Sequence, residues 1–148
     1  MHGTAVLAGS FGVLIRGPSG AGKSTLAAAM ISRGGRLVAD DRVHLSVCHA
    51  RIIAAGVGST AGMLELRGRG LMLLPHEQSA VIRLLIDMRP DTELERLPAH
   101  EDLSATVLGV ILPRQAVPGD TQRALILADT ALAAASGRRD AGLRSPPV

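Results

Sequence analysis

Gly17-Pro18-Ser19-Gly20-Ala21-Gly22-Lys23-Ser24 satisfies G-x-x-x-x-G-K-[ST] in full. It stands between an apolar run, Val13-Leu14-Ile15, and apolar residues at helical spacing, Leu26, Ala27, Met30 and Ile31. No other stretch restricts the fold as much. A strand must enter, a glycine-rich loop must curl its backbone N–H groups around an anion, and a helix must leave with its positive end at that anion. These residues, with Thr25, are predicted to bind the phosphates of a nucleotide. Lys23 would reach the β- and γ-phosphates, and the Ser24 hydroxyl would help to hold Mg²⁺.

Around that unit the chain reads mainly as strands. Residues 5–15, with Gly9 and Gly12, read as a hairpin or buried strand entering the loop. Residues 23–33 read as a helix that Gly34-Gly35 stops. RLVADD reads as a short strand ending in acid, and residues 43–53 as more strand. MLELRGRGLMLLP reads as strand, turn and apolar run. VIRLLIDM and VLGVILP read as strands, RPDTELERLPAHED and RQAVPGDTQ as loops, and residues 124–135 as a final helix. The predicted class is α/β, one P-loop domain with a mixed sheet over residues 1–137. A flexible tail carrying Arg138, Arg139 and Arg144 follows at 138–148.

Composition narrows the function. Phe11 is the only aromatic and the net charge is +3, so base stacking on nucleic acid is nearly out of reach. The single cysteine, Cys48, excludes an internal disulfide and fits a reducing cytosol. Its apolar surroundings, LSVCHA, read as those of a buried, inert thiol, and Cys48-His49 lacks the repeated spacing of a zinc site. MHGTAVLAGS has neither a basic leader nor a long apolar stretch, so neither a signal peptide nor a membrane span is expected.

Phosphoryl transfer needs an acid to hold metal and a group to orient or deprotonate the nucleophile. Asp40 and Asp41, read as the carboxyl end of a strand one helix after the loop, are the first candidates. Neighbours on an extended strand point to opposite faces, so the two should differ in role; a polar strand end is the other reading. Asp87, closing VIRLLID, competes for the metal-holding place, although Arg83 and the turn at Arg89-Pro90-Asp91 favour a structural role. Glu65 and Arg67 would share one strand face, as a surface ion pair or as holders of a metal and a phosphoryl oxygen.

The order of these stretches resembles the HPr kinase/phosphorylase family. GPSGAGKS followed by ADD, then LELRGRGLMLL, with His2-Gly3 upstream, is similar to that family's catalytic domain. LERLP and VILPRQAVPGD are weaker versions of its distal arginine and proline-rich loops. The resemblance implies a fold like that of HPr kinase and phosphoenolpyruvate carboxykinase, and an ATP- and Mg²⁺-dependent serine kinase acting on an HPr-like phosphocarrier protein. It implies a phosphate-dependent reverse reaction as well, although VILPRQAVPGD departs from the family's Pro-Val-Arg-Pro-Gly pattern. Asp41 would be the base, Asp40 its assistant at metal or nucleophile, Glu65 a second Mg²⁺ ligand beside Ser24, and Arg67 functional with it. His2 would bind phosphate, and Arg96 would steady the transferring group. Thr25 replaces an acid that is usual there. A cytoplasmic location and a hexameric homo-oligomer are further implications. The competing readings are a small-metabolite or nucleotide kinase, for which Arg89 and Arg96 make only a short lid, and a nucleotide-sensing module without transfer.

Overall fold

The structure, a computed structural model, describes residues 1–137; the predicted tail at 138–148 lies outside them. The chain opens with a hairpin, β1 (His2–Ala8) and β2 (Phe11–Arg16), and β2 runs into the phosphate loop and α1 (Lys23–Ser32). Then come β3 (Arg36–Cys48), β4 (Arg51–Gly56), a separate hairpin of β5 (Met63–Leu66) and β6 (Gly70–Leu73), and β7 (Ser79–Met88). Short 3-10 turns at Asp91–Glu93 and His100–Leu103 lead to β8 (Ser104–Val107), β9 (Val110–Val117) and α2 (Thr121–Ser136).

The main sheet has seven strands in the order β2-β1-β3-β4-β7-β9-β8, and it is mixed, as predicted. An additional parallel pairing of β2 with β7 closes β2, β1, β3, β4 and β7 into a ring. One apolar cluster takes residues from every strand of that ring, among them Ala5, Leu14, Val38, Ile52 and Leu85. A second lies against the helices, joining Val6, Ile15 and Ile86 to Leu26, Met30 and Leu132. Alternation along the strands supplies both clusters at once. Closure is tightest at Gly12, where a side-chain carbon would lie 2.3 Å from the Val81 carbonyl oxygen.

Several expectations are corrected. RLVADD is not a short strand: β3 continues to Cys48, so Asp40 and Asp41 lie in its middle, paired antiparallel with β1 just before the pairing with β4 begins at Val43. VLGVILP is a two-residue hairpin rather than one strand, with Leu108 and Gly109 both at positive φ, and RQAV belongs to β9 rather than to a loop. The polar Arg114 is tolerated there because β9 pairs in parallel with β7 and Asp87 of β7 receives its charge. Cys48 is exposed, not buried. From Ser46 onwards β3 runs out to a hairpin tip with both faces in solvent, and an apolar string in the sequence does not reveal where the core ends. Arg83, which breaks the apolar run of β7, sits outside and stacks on Phe11 at 5.1 Å.

Candidate functional site

The phosphate loop leaves β2 and is seated on the ends of β7 and of the β9–α2 connection. Gly22 has φ of 108° and opens α1 without a side-chain cap; a carbon added to it would lie 3.4 Å from Met88 Cε and 3.6 Å from Gly119 O. The first N–H groups of α1 are thus left for an anion, and no acid stands in its first turn to repel one. Lys23 Nζ donates to the carbonyls of Gly17 (2.8 Å) and Pro18 (3.1 Å), folded back along its own loop.

Over this loop lies a cavity of about 390 Å³. The loop and α1 line it with Ser19, Gly20, Lys23, Ser24 and Thr25; β1 and β3 add Thr4, Asp40 and Asp41, and the β5–β6 hairpin adds Glu65 and Arg67. Asp40 is the joint. Its Oδ1 accepts from the Ser24 hydroxyl and the Thr4 hydroxyl, both at 3.0 Å, and its Oδ2 accepts from the Glu65 N–H at 3.3 Å. One half-buried carboxylate therefore ties the helix, two strands and the hairpin together. Leu64, fully buried against α1's apolar cluster, anchors the hairpin that carries Glu65.

Asp41 differs. It has φ of 70°, a left-handed conformation that Asp tolerates better than most residues, in the middle of a strand. The alternation that would turn neighbours apart is broken there, and both carboxylates reach one cavity, contrary to the opposite faces expected. The Asp41 side chain is 81% exposed, and His2 Nδ1 lies 3.9 Å from its Oδ1.

Thr4 was missed by the sequence reading. The available signal was a lone hydroxyl residue beside the apolar run Ala5-Val6-Leu7; only the structure shows that it is buried. Arg96 is not brought to the loop: it lines another cleft of about 750 Å³, with Leu103, Arg114 and Arg123. A third cleft, of about 550 Å³ beside Arg33 and Asp129, takes nothing from the loop either.

Asp87 is enclosed by arginines. Arg16 grips it through Nε (2.9 Å) and Nη2 (3.0 Å), and Arg114 Nε donates at 2.6 Å. Burial pushes its carboxyl up, but the hydrogen bonds and charges of Arg16 and Arg114 outweigh burial and hold it below the ordinary carboxylate range. The hydrogen bond to Asp87 raises the Arg16 guanidinium. A carboxyl whose folded value is the lower one adds stability above its unfolded value, and that stability is lost as pH falls through the folded value. Below about pH 4 the melting temperature should therefore fall more steeply in the wild type than in Asp87→Asn. Parallel acid limbs in calorimetry would contradict this.

The donor set suits a hard cation shared with phosphates. Among the described residues no three His, Cys, Asp or Glu side chains converge as a self-sufficient metal cluster. Mg²⁺ does not require one, since it is commonly held by one or two carboxylates, phosphate oxygens and water. Among the described residues no helix is long and apolar enough to cross a membrane.

Comparison with known proteins bears on the chain as a whole. The family model described as the HPr Serine kinase C-terminal domain matches residues 1–142. The chain is 36% identical over 141 residues to the HPr kinase/phosphorylase of Limosilactobacillus reuteri (strain DSM 20016), covering 86% of this chain and 43% of that protein. It is 33% identical over 158 residues to the HPr kinase/phosphorylase of Clostridium tetani, covering 100% of this chain and 51% of that protein. The chain thus spans about half the length of the curated relatives it matches. The solved structure of the HPr(Ser) kinase/phosphatase from Coxiella burnetii superposes with a TM-score of 0.78 at 23% identity, covering 95% of this chain and 94% of that one.

Proposed function

This chain belongs to the HPr serine kinase C-terminal domain family, and from that premise we propose that it transfers the γ-phosphoryl group of ATP to a seryl hydroxyl of an HPr-like phosphocarrier protein. The observation that carries the reading is the Asp40 joint. It brings the phosphate-loop serine, the β3 acids and the Glu65-Arg67 turn to one cavity, where a kinase needs its metal-holding and nucleophile-activating groups.

Lys23 exchanges the Gly17 and Pro18 carbonyls for phosphate oxygens, so its charge is held ready along the loop. Ser24 and Glu65, with Asp40 between them, would hold Mg²⁺, which would supply neutralisation of phosphate charge. Asp41, exposed at the cavity mouth, accepts the seryl proton as the oxygen bonds to phosphorus and the bond to the β-phosphate oxygen breaks. Run backwards with inorganic phosphate, the same carboxyl returns that proton to the departing serine. His2 binds phosphate beside Asp41, and Arg67 steadies the transferring group from the hairpin. Arg96 has no part in this step while it lines its separate cleft.

The test is incubation of purified protein with ATP, Mg²⁺ and an HPr-like protein, with phosphoserine detected by mass spectrometry. Phosphoserine formation is expected, as is its reversal, with release of pyrophosphate, when inorganic phosphate is added. Transfer only to a small molecule would replace this reading with a metabolite kinase. Binding without transfer would replace it with a nucleotide sensor. The hexamer implied by the resemblance is checked separately by sedimentation.

A further inference from the structure

Asp87 is one of the only two buried polar residues among those described, and it faces the ends of three adjacent strands. Arg16, its partner in the β2–β7 register, immediately precedes Gly17 and the phosphate loop. Met88, the next residue along β7, is the side chain on which Gly22 rests. Arg114 reaches it from β9, and the same guanidinium donates through Nη1 to the Asp102 carbonyl at 2.9 Å, in the turn that walls the Arg96 cleft.

The chemistry of this cluster is that of a clamp. Arg16 takes both carboxylate oxygens in a fork, which fixes orientation as well as distance. One carboxylate between two guanidinium groups leaves a net positive charge that is partly shielded from water, so removing the carboxylate would set two like charges against each other. Met88 and Arg16 lie on either side of the phosphate loop's seat, one under it and one at its entrance. Asp87 is hydrogen-bonded to Arg16 and is followed in the chain by Met88, so a shift at Asp87 would bear on both.

We propose that Asp87 is a positioning residue of the nucleotide site, holding the entrance and floor of the phosphate loop in register with the wall of the Arg96 cleft. Nucleotide affinity then depends on a carboxylate outside the nucleotide cavity. This rests on the reading that the loop binds nucleotide, but not on the identity of the phosphoryl acceptor.

The test is calorimetric titration of the whole chain with Mg²⁺-ADP, well below each variant's melting temperature. Asp87→Asn is expected to weaken binding about tenfold, the scale on which groups one step removed from a bound ligand act. Asp91→Asn, which breaks the exposed ion pair with Arg123 in the same cleft, is expected to bind as the wild type does. Leu112→Ala controls for general softening, since it empties the core away from the loop and should keep wild-type affinity. Should Asp87→Asn fail to fold, Arg16→Lys and Arg114→Lys retain the charge, lose the fork or the second donor, and should weaken binding in the same direction. Unchanged affinity in folded Asp87→Asn, or in both lysine variants, overturns the proposal; so does an equal loss in Leu112→Ala. A wild type that binds no nucleotide sinks the loop reading itself, and this inference with it.

Discussion

Asp41→Asn is expected to lower phosphoryl transfer by about 10²- to 10⁴-fold, the range over which a positioned general base acts, while sparing nucleotide binding and stability. The expectation separates chemistry from architecture because the two adjacent aspartates have different surroundings. Asp40 accepts three hydrogen bonds, so replacing it disturbs two hydroxyls and a backbone N–H together. Asp41 projects into the open mouth of the cavity with His2 near it at 3.9 Å. Asn is nearly isosteric and accepts a left-handed backbone as Asp does, so the φ of 70° is preserved. A surface change of this kind normally alters stability by less than about 0.5 kcal/mol. The measurements are single-turnover transfer to an HPr-like protein, Mg²⁺-ADP titration and thermal melting on one preparation. Full transfer activity in the variant would remove Asp41 from the role of base.

Gly12→Ala should produce the largest loss of stability. Its added carbon would lie 2.3 Å from the Val81 carbonyl oxygen, and the atom in the way is backbone, so no rotamer change can relieve the contact. Either β2 withdraws from β7, opening the ring, or both strands bend. Overpacking of this kind typically costs about 1–3 kcal/mol and occasionally more. We expect the upper end, about 3 kcal/mol, which corresponds to roughly 10 °C in melting temperature for a domain of this size. Because β2 runs directly into the phosphate loop, nucleotide affinity should fall in the same variant. A melting temperature within a few degrees of the wild type would show that the β2–β7 closure is looser than these distances require.

The phosphate loop was legible because its requirements are local. Glycines at fixed positions, an apolar run before and a helical repeat after are all properties of contiguous residues. The helix after the loop, the opening hairpin and the mixed α/β class follow from the same kind of information. Glu65 and Arg67 both line the cavity, but not by the shared strand face expected of them, because β5 ends at Leu66 and Arg67 stands in the turn. What they would meet there was not legible. The contact that places them is between the Glu65 backbone and Asp40, far apart in sequence.

Asp40 and Asp41 were read as a strand end because charge usually marks the edge of a sheet, yet β3 continues because tertiary hydrogen bonds accommodate one acid and a left-handed backbone turns the other outward. Arg114 read as loop for the same reason, until Asp87 supplied its counter-charge.

The residues alone determined that a phosphate-binding strand–loop–helix exists, because that unit's chemistry is written within one short segment. Only the folded chain decided which acids stand over it, that β2 returns to β7 to close a ring, and that Arg96 lies in another cleft. Those outcomes depend on contacts between distant segments, where a single carboxylate with donors from several strands outweighs the local preference of each.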